Sequence, residues 1–306
     1  MIERKTKNQK KLRHAVGAQN EPSVLFALPS LLFFTCFSAV PVIGVIVLSF
    51  TSWQGLGAIE FTGLTSWKAA LSDPLTKNAI LITIKIMVLS FAIQAPLSLL
   101  LGVFLAGRQK YREIFGIIYF VPMLLSSAAI AVLFRAFFDP NFGISAFSDL
   151  AIFKTNFLGS DYALYTVTFV IAWQFIPLHT LIYQGGVRQI PASIFEAAKL
   201  DGANRIQEFW YITLPQLKHT AITSSTLMIV GSLTYFDLVF VMTKGGPGVA
   251  TRMLPLHMYI TGFSANQMGI AAALGVILLI VGFILAIITQ RLGGKDRSAS
   301  QMEGAL

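Results

Sequence analysis

Charged residues are scarce in this chain, and cysteine is almost absent. Only 12% of the 306 residues are Asp, Glu, Lys or Arg, whereas 55% are hydrophobic and the mean hydropathy is +0.70. A soluble domain carries about 25% charged residues, so the composition excludes an ordinary soluble enzyme and predicts an all-α polytopic membrane protein. The one cysteine, Cys36, excludes an internal disulfide, a cysteine metal cluster and a redox pair.

The motifs of nucleotide and metal chemistry are missing as well. No G-x-x-x-x-G-K-[ST] pattern occurs, so this chain does not hold a nucleotide through a P-loop. The four histidines are scattered over different segments, without an H-E-x-x-H pattern or a close acidic partner, which excludes a zinc hydrolase. We expect that the chain is not an enzyme and has no catalytic residue, metal or cofactor of its own.

Six apolar stretches are long enough to cross a membrane. Each can span about 30 Å of hydrocarbon at a rise of about 1.5 Å per residue. The predicted transmembrane domain occupies residues 24–290, between tails at 1–23 and 291–306, and includes a long connecting loop at 185–218. The predicted spans lie near residues 24–50, 79–106, 114–138, 162–184, 219–242 and 268–290.

Basic residues are distributed unevenly between the two sets of loops. Of the 23 Lys and Arg, 16 fall in the two tails, the 107–113 turn and the 185–218 loop, whereas five fall in the opposite loops. Because Lys and Arg concentrate on the cytoplasmic side of a membrane, we predict a multi-pass inner-membrane protein with both termini in the cytoplasm. This asymmetry, rather than nucleic-acid binding, explains the net charge of +9.

Acidic residues are absent from the depth of the spans. No Asp or Glu lies there, and Asp237 is near the outer end of the fifth span. An ion-coupled secondary carrier usually needs intramembrane carboxylates, so that class of transporter is the alternative rather than the preferred interpretation. Lys85 and Arg135 lie near outer ends of spans, where they can snorkel to the interface or serve a solute path or helix pairing.

The long cytoplasmic loop contains start and stop signals for two short helices. Ser193 and Glu196 have the S-x-x-E spacing of a capping box, which predicts a helix that begins there and ends at Gly202. Asn204 and Gln207 repeat the start signal further along the loop. We therefore predict two short helices on the cytoplasmic face.

Residues of this loop also stand at fixed spacings, in the order E-A-A, three residues, Gly, nine residues and I-x-L-P. This pattern resembles the signature loop of the permease subunits of binding-protein-dependent ABC importers. The resemblance implies a type I permease fold with six transmembrane helices and a cytoplasmic coupling helix that docks on an ATPase. The residues it assigns to ATPase coupling are Glu196, Ala197, Ala198, Asp201, Gly202, Ile212, Leu214 and Pro215.

A glycine-rich segment follows the fifth span and begins at Thr243. It resembles the T-x-G-G-P loop of the maltose-type branch of that family, which imports oligosaccharides, related glycosides and glycerol phosphate. The resemblance places this loop beside a docked binding protein, whereas the residues alone indicate only a tight turn between two spans. The residues concerned are Gly245, Gly246, Pro247 and Gly248.

The family resemblance implies that the chain works in an assembly. The expected partners are a second homologous permease, two copies of a cytoplasmic ATPase that hold ATP and Mg, and an extracellular or periplasmic substrate-binding protein. The expected function is alternating access for a sugar in the lipid membrane, with a glycerol phosphate or a polyol as the alternative solute.

Aromatic and polar residues on spans four and five are candidates for the sugar path. Aromatic faces stack on sugar rings, and amide or carboxylate groups hydrogen-bond to their hydroxyls. Aromatic residues in membrane helices also serve as packing or interface anchors, which is the alternative role here. The candidates are Trp173, Gln174, Tyr235, Phe236 and Asp237.

Overall fold

The structure is a computed structural model of the chain. It describes residues 24–107, 109–147, 154–159 and 162–292. The predicted tails at 1–23 and 291–306 lie outside the described residues, apart from Arg291 and Leu292. The chain divides into two compact units, Met1–Val47 and Leu48–Leu306.

The described chain is helical wherever the sequence is strongly apolar. The main helices are α1 (Leu28–Leu48), α2 (Thr65–Ser72), α3 (Pro74–Leu105), α4 (Lys110–Leu124), α5 (Ser127–Phe137), α6 (Ala163–Arg188), α7 (Ala192–Leu200), α8 (Lys218–Ser232), α9 (Asp237–Thr243), α10 (Leu254–Tyr259) and α11 (Met268–Leu292). Shorter helical turns occupy Val24–Ala27, Ile144–Phe147, Arg205–Gln207 and Leu214–Gln216, and π-helical turns occupy Thr35–Ala39, Glu208–Thr213 and Ile260–Ser264.

The first unit contains α1 as far as Val47. This helix is 21 residues long, enough to cross a membrane, and the structure buries none of its apolar side chains. The π-helical turn within it carries Cys36, which is exposed. A helix that is apolar on all sides suits a lipid environment.

The second unit supplies the other five spans. Three are single helices of 32, 26 and 25 residues, namely α3, α6 and α11. The other two are bent pairs, α4 with α5 at 95° and α8 with α9 at 47°. The predicted all-α architecture is confirmed, with six spans when each bent pair is counted as one. Residues 114–138 and 219–242 are each broken. Pro122 within the first of these stretches indicates a kink there, whereas the apolar pattern did not indicate the second break.

Local hydrogen bonds explain both breaks. At the first, Leu125 and Ser126 are extended, and the Ser126 hydroxyl caps α5 by accepting from the Ala129 N–H at 3.2 Å. At the second, the Thr234 hydroxyl donates to the Gly231 carbonyl at 2.8 Å. Serine and threonine compete in this way with the backbone hydrogen bonds that would continue a helix. The first helix of each bent pair therefore ends before the apolar stretch does.

The core of the second unit lies along α3 and α6, which pack against each other. The helices approach closely near the carboxyl ends of both, because a Cβ added to Gly102 would lie 2.5 Å from the Cβ of Tyr183. Small residues permit such approach between membrane helices. The apolar side chains fully buried in this core include Ile86, Val167, Val170 and Ile171.

Hydroxyl groups join neighbouring spans within the apolar core. The His179 ring on α6 lies 3.0 Å from the Ser224 hydroxyl on α8. Thr226 on α8 donates to the Thr289 hydroxyl on α11 at 3.0 Å. Interhelical hydrogen bonds of this kind add to van der Waals packing where water is absent. They fix the fifth span, which carries three of the candidate path residues, between the fourth and sixth spans.

A second apolar cluster ties the connection between spans five and six to the rest of the unit. It joins α2, α3, α10 and α11 through buried residues that include Ala70, Leu254 and Leu274. The Leu254 N–H donates to the Thr83 hydroxyl on α3 at 2.8 Å. The glycine-rich loop is therefore anchored at its carboxyl end by buried structure.

Candidate functional site

The first helix of the 185–218 loop is α7, and it begins differently from the prediction. Its N-cap is Pro191, and no side chain caps its first turn. The predicted capping box of Ser193 and Glu196 is therefore wrong. Pro191 has an extended ψ of 134°, and α7 starts at Ala192, one residue before Ser193. The side chains of Ser193 and Glu196 are both exposed.

The end of α7 agrees with the prediction. Gly202 has a φ of +82°, a left-handed conformation that favours glycine. The Gly202 N–H donates to the Lys199 carbonyl at 3.1 Å, and the Ala203 N–H donates to the Ala198 carbonyl at 2.9 Å. This pair of bonds forms a Schellman motif. It stops the helix and turns the chain sharply toward the second one.

The second helix of the loop also begins as predicted. The Asn204 side chain accepts from the Ile206 and Gln207 N–H groups at 3.0 and 2.9 Å, and the Gln207 side chain accepts from the Asn204 N–H at 2.8 Å. This is a complete capping box. The helical stretch continues to Gln216, so Pro215 lies in its last turn rather than in α8, which begins at Lys218.

The predicted coupling residues divide by exposure. Glu196, Ala197, Asp201, Gly202 and Pro215 are exposed, whereas Ala198, Ile212 and Leu214 are half-buried against the rest of the loop. Within the described part of the chain the Glu196 carboxylate has no ion-pair partner. The exposed face of α7 thus presents an uncompensated carboxylate between small side chains, which permits close approach of another protein.

The candidate path residues gather at the two broken spans. A cleft of about 200 Å³ opens where α8 gives way to α9, and Tyr235, Phe236 and Asp237 line it. Ser127, the first residue of α5, lines the same cleft. Helices α5 and α9 pack against each other, so the breaks in spans three and five meet. Discontinuous membrane helices commonly form solute sites in transporters.

Trp173 and Gln174 stand beside this cleft rather than in it. The Gln174 amide donates to the Ser127 hydroxyl at 3.0 Å, and its Oε1 atom is buried without a hydrogen-bond partner among the described residues. Trp173 packs edge to face on Phe134, with ring centroids 5.2 Å apart. A buried carbonyl oxygen without a donor is costly, and Gln174 is only 4% exposed and does not line the cleft.

Aromatic contacts set the shape of the cleft. The Tyr235 ring stacks on Phe175 at 5.1 Å, and the Phe236 ring stacks on Phe240 at 5.3 Å. Asp237 is exposed as the first residue of α9, where a carboxylate is favoured by the helix dipole.

The sequence reasoning missed most of the cleft lining, including its polar residues Ser127, His179 and Thr234. The adjacent serines Ser126 and Ser127 within an otherwise apolar run were the available signal for Ser127. Nothing in the sequence pointed to His179.

The glycine-rich loop is a closed, hydrogen-bonded structure. The hydroxyls of Thr243 and Thr251 lie 2.7 Å apart, and Thr251 also donates to the Gly246 carbonyl at 2.9 Å. Gly245 and Gly248 have positive φ, as does Lys244. Gly245 is buried and Gly246 half-buried, whereas Pro247 and Gly248 are exposed at the tip. The loop therefore presents a small rigid tip on a fixed base.

His257 joins the segment after this loop to α3. Its Nε2 atom lies 3.0 Å from the Thr76 hydroxyl and 3.4 Å from the Asp73 carboxylate. Burial lowers the pKa of His257, and the positive charge of Arg252 lowers it further, whereas Asp73 acts in the opposite direction. Burial and Arg252 together therefore favour the neutral imidazole over the charged form.

Comparison with known families decides the class of the chain. The family model described as the binding-protein-dependent transport system inner membrane component matches residues 98–295, more than half of the chain. The chain belongs to this family. The membership predicted from the signature loop is confirmed, and it makes the protein a permease subunit that crosses the cell membrane several times.

Two relatives cover almost the full permease. A probable ABC transporter permease protein of Pyrococcus horikoshii is 32% identical over 277 residues, which cover 86% of the permease and 92% of the relative. The arabinooligosaccharides transport system permease protein AraP of Bacillus subtilis is 29% identical over 277 residues, which cover 89% and 88% of the two chains. Both relatives are ABC transporter permeases, which agrees with the family assigned above.

A solved structure shares the fold. A chain in the crystal structure of a bacterial alginate ABC transporter, in complex with an alginate pentasaccharide-bound periplasmic protein, has a TM-score of 0.78 to the permease. The identity is 20%, and the match covers 90% of the permease and 95% of that chain. The predicted type I permease fold is confirmed.

Proposed function

We propose that the permease forms one half of the solute path of an ATP-driven importer and moves a sugar across the membrane by alternating access. The observation that carries this proposal is α7, a short helix closed by a Schellman motif, with Glu196 exposed and unpaired on its outward face. A rigid helix of this kind transmits the movement of a docked ATPase to the spans on either side of the loop.

The other chains supply what this one lacks. Two cytoplasmic ATPase subunits bind ATP and Mg, and a second homologous permease completes the path. A periplasmic or lipid-anchored binding protein delivers the sugar at the rigid tip of the glycine-rich loop. Each ligand shifts the equilibrium between inward-open and outward-open states only through its different affinity for the two. Both termini lie in the cytoplasm, in agreement with the distribution of Lys and Arg.

The cleft at the two breaks favours an uncharged sugar. Tyr235 and Phe236 offer aromatic faces, and Asp237 offers a carboxylate. No Lys or Arg lines this cleft among the described residues. A glycerol phosphate would meet the negative charge of Asp237 without a compensating cation, so an oligosaccharide is the better solute.

The experiment that tests this function uses the complete transporter reconstituted in vesicles with its binding protein. We expect Glu196→Ala to abolish sugar-stimulated ATP hydrolysis and uptake, because loss of one partner of a buried charge pair costs about 2 to 5 kcal/mol. Ser193→Ala changes a second exposed side chain of α7 and serves as the matched control, with uptake near that of the parent. Normal uptake by the Glu196→Ala transporter would contradict the proposal.

A further arm of the same experiment separates the solutes and the classes of transporter. We expect a neutral oligosaccharide, and not glycerol phosphate, to stimulate hydrolysis in the parent assembly. The permease reconstituted alone should transport neither, with or without a proton or sodium gradient. Gradient-driven uptake by the isolated chain would instead establish a secondary carrier.

A further inference from the structure

A basic cleft lies at the cytoplasmic end of the second unit, between the loop helices and the ends of α3, α4 and α6. Its volume is about 840 Å³. It is separate from the solute cleft and plays no part in the function proposed above. Its charged side chains are four cations and one carboxylate, namely Arg112, Arg188, Lys199, Arg205 and Glu208.

The positive charges in the basic cleft are not neutralised by the protein. None of the four cations forms an ion pair within the described part of the chain, and neither does Glu208. Arg188, Lys199 and Arg205 are exposed at the rim. Cations that line one cavity raise its potential together and attract an anion. The arrangement therefore fits a ligand with at least one negative charge.

Arg112 is held in a fixed position for such a ligand. Its Nη1 atom donates to the Phe104 carbonyl at 2.6 Å, and its Nε atom donates to the Tyr111 hydroxyl at 3.1 Å. The guanidinium also lies 4.6 Å from the centre of the Phe104 ring. These contacts leave the Nη2 atom free among the described residues. A planar guanidinium fixed in this way is well suited to a phosphate oxygen.

Exposed aromatic side chains flank the basic cleft on one side. The ring of Phe104 contacts those of Tyr111 and Phe115, with centroids 6.4 and 6.2 Å apart. Tyr111 is 57% exposed and Phe115 is 45% exposed. Aromatic rings at the ends of membrane helices occupy the level of lipid headgroups. A free phosphate ion would have no use for this apolar flank, whereas the acyl chains of a lipid would cover it.

The basic cleft uses a different face of α7 from the proposed ATPase contact. Ala192, Phe195 and Lys199, three and four residues apart, line the cleft on one side of the helix. Glu196 and Ala197 do not line it and are exposed. Residues three and four apart share a helix face, so a ligand in the cleft and an ATPase can contact α7 at the same time.

The geometry points to a binding site for the phosphate headgroup of an anionic phospholipid in the basic cleft. Basic pockets between membrane helices on the cytoplasmic side are suited to such headgroups. The lipid would support the inner face of α7 and thereby fix the position from which the helix meets the ATPase. This site does not depend on which solute the transporter carries.

The test is native mass spectrometry of the full-length permease in a non-ionic detergent. Palmitoyl-oleoyl phosphatidylglycerol and the phosphatidylcholine with the same acyl chains compete for the protein. We expect a preference for phosphatidylglycerol that falls about thirtyfold in Arg188→Gln/Arg205→Gln, because each basic residue near a lipid headgroup contributes about 1 kcal/mol. Arg188→Lys/Arg205→Lys should retain most of the preference.

The matched control is Lys218→Gln/Arg291→Gln, which removes two cations that do not line the basic cleft. Its preference should equal that of the parent. Equal binding of the two lipids by the parent, or an equal loss in the control, would overturn the proposal. Displacement of phosphatidylglycerol by millimolar inorganic phosphate, with the same dependence on Arg188 and Arg205, would identify a free-anion site and overturn the assignment to lipid.

Discussion

At the scale of single residues, two adjacent glycines in α6 have opposite surroundings. A Cβ added to Gly186 would lie 2.6 Å from the Thr220 hydroxyl oxygen and 2.8 Å from Leu217, whereas a Cβ added to Gly185 would meet nothing within 4 Å. The helix therefore tolerates a larger residue at position 185. It needs glycine at position 186, where α6 crosses the start of the fifth span.

We expect Gly186→Ala to destabilise the permease by about 1 to 3 kcal/mol, because the extra methyl group overpacks this crossing. The matched variant Gly185→Ala should stabilise it by about 0.4 to 1 kcal/mol, because alanine loses less backbone entropy in a helix. Thermal unfolding of the purified permease in detergent measures both. Equal shifts in the midpoints of the two variants would show that the crossing is looser than the structure indicates.

The lowered pKa of His257 predicts that the stability of the permease depends on pH. In the unfolded chain the imidazole has its ordinary pKa of 6.5, and in the fold the pKa is lower. The unfolded chain therefore binds more protons as the pH falls below 6.5, so stability is constant at higher pH and decreases toward acidic pH.

Unfolding midpoints measured between pH 8 and pH 5 test this dependence, with His257→Gln as the comparison. The variant loses the titrating group, so its midpoint should fall less than that of the parent between these pH values. An identical pH profile for the two proteins would assign the acid sensitivity to other groups.

At the scale of elements, the two helices of the cytoplasmic loop differ in how they begin. Asn204 takes part in three hydrogen bonds that cap the second helix, two through its side chain and one through its N–H group. Ser193 forms no such bond in α7. We expect Asn204→Ala to cost about 1 kcal/mol and to raise amide hydrogen exchange in the first turn after residue 204. Ser193→Ala should leave exchange in α7 unchanged, and Asn204→Asp should behave like the parent. Increased exchange in α7 after Ser193→Ala would restore the rejected capping box.

The sequence predicted the presence of helices better than the positions at which they break. Apolar length alone located six spans, and glycine at 202 and asparagine at 204 correctly marked a helix end and a helix start, because each depends on local backbone chemistry. Pro122 indicated a kink in the third span, but the break near Thr234 was missed because a count of apolar residues is insensitive to one hydroxyl group. The meeting of the two breaks depends on tertiary packing, and no local pattern specifies it.

At the scale of the whole molecule, the uneven distribution of basic residues predicts topology. In a Cys36→Ser background, single cysteines at positions 60 and 250 should react with a membrane-impermeant maleimide added to intact cells, whereas one at Lys199 should react only after the membrane is opened. The asymmetry of 16 against five basic residues is the reason for this expectation. Labelling of position 199 but not of position 250 from outside would invert the topology and move the basic cleft to the other surface.

The two broken spans also affect the hydration of the cleft that lies between them. Some of the last carbonyls of α4 and α8 accept hydrogen bonds within the breaks, such as Pro122 from the Leu125 N–H and Val230 from the Leu233 N–H. A helix end leaves up to four carbonyls without a partner from a continuing turn, and each polar group left unpaired in hydrocarbon costs several kcal/mol. We therefore expect water to reach the remaining carbonyls, so that the cleft is hydrated even without a solute. A hydrated gap in a membrane leaks small ions unless something closes it. The ring pair Phe175 and Tyr235 stands beside the second break, where it can act as the seal that keeps an idle transporter from discharging the membrane.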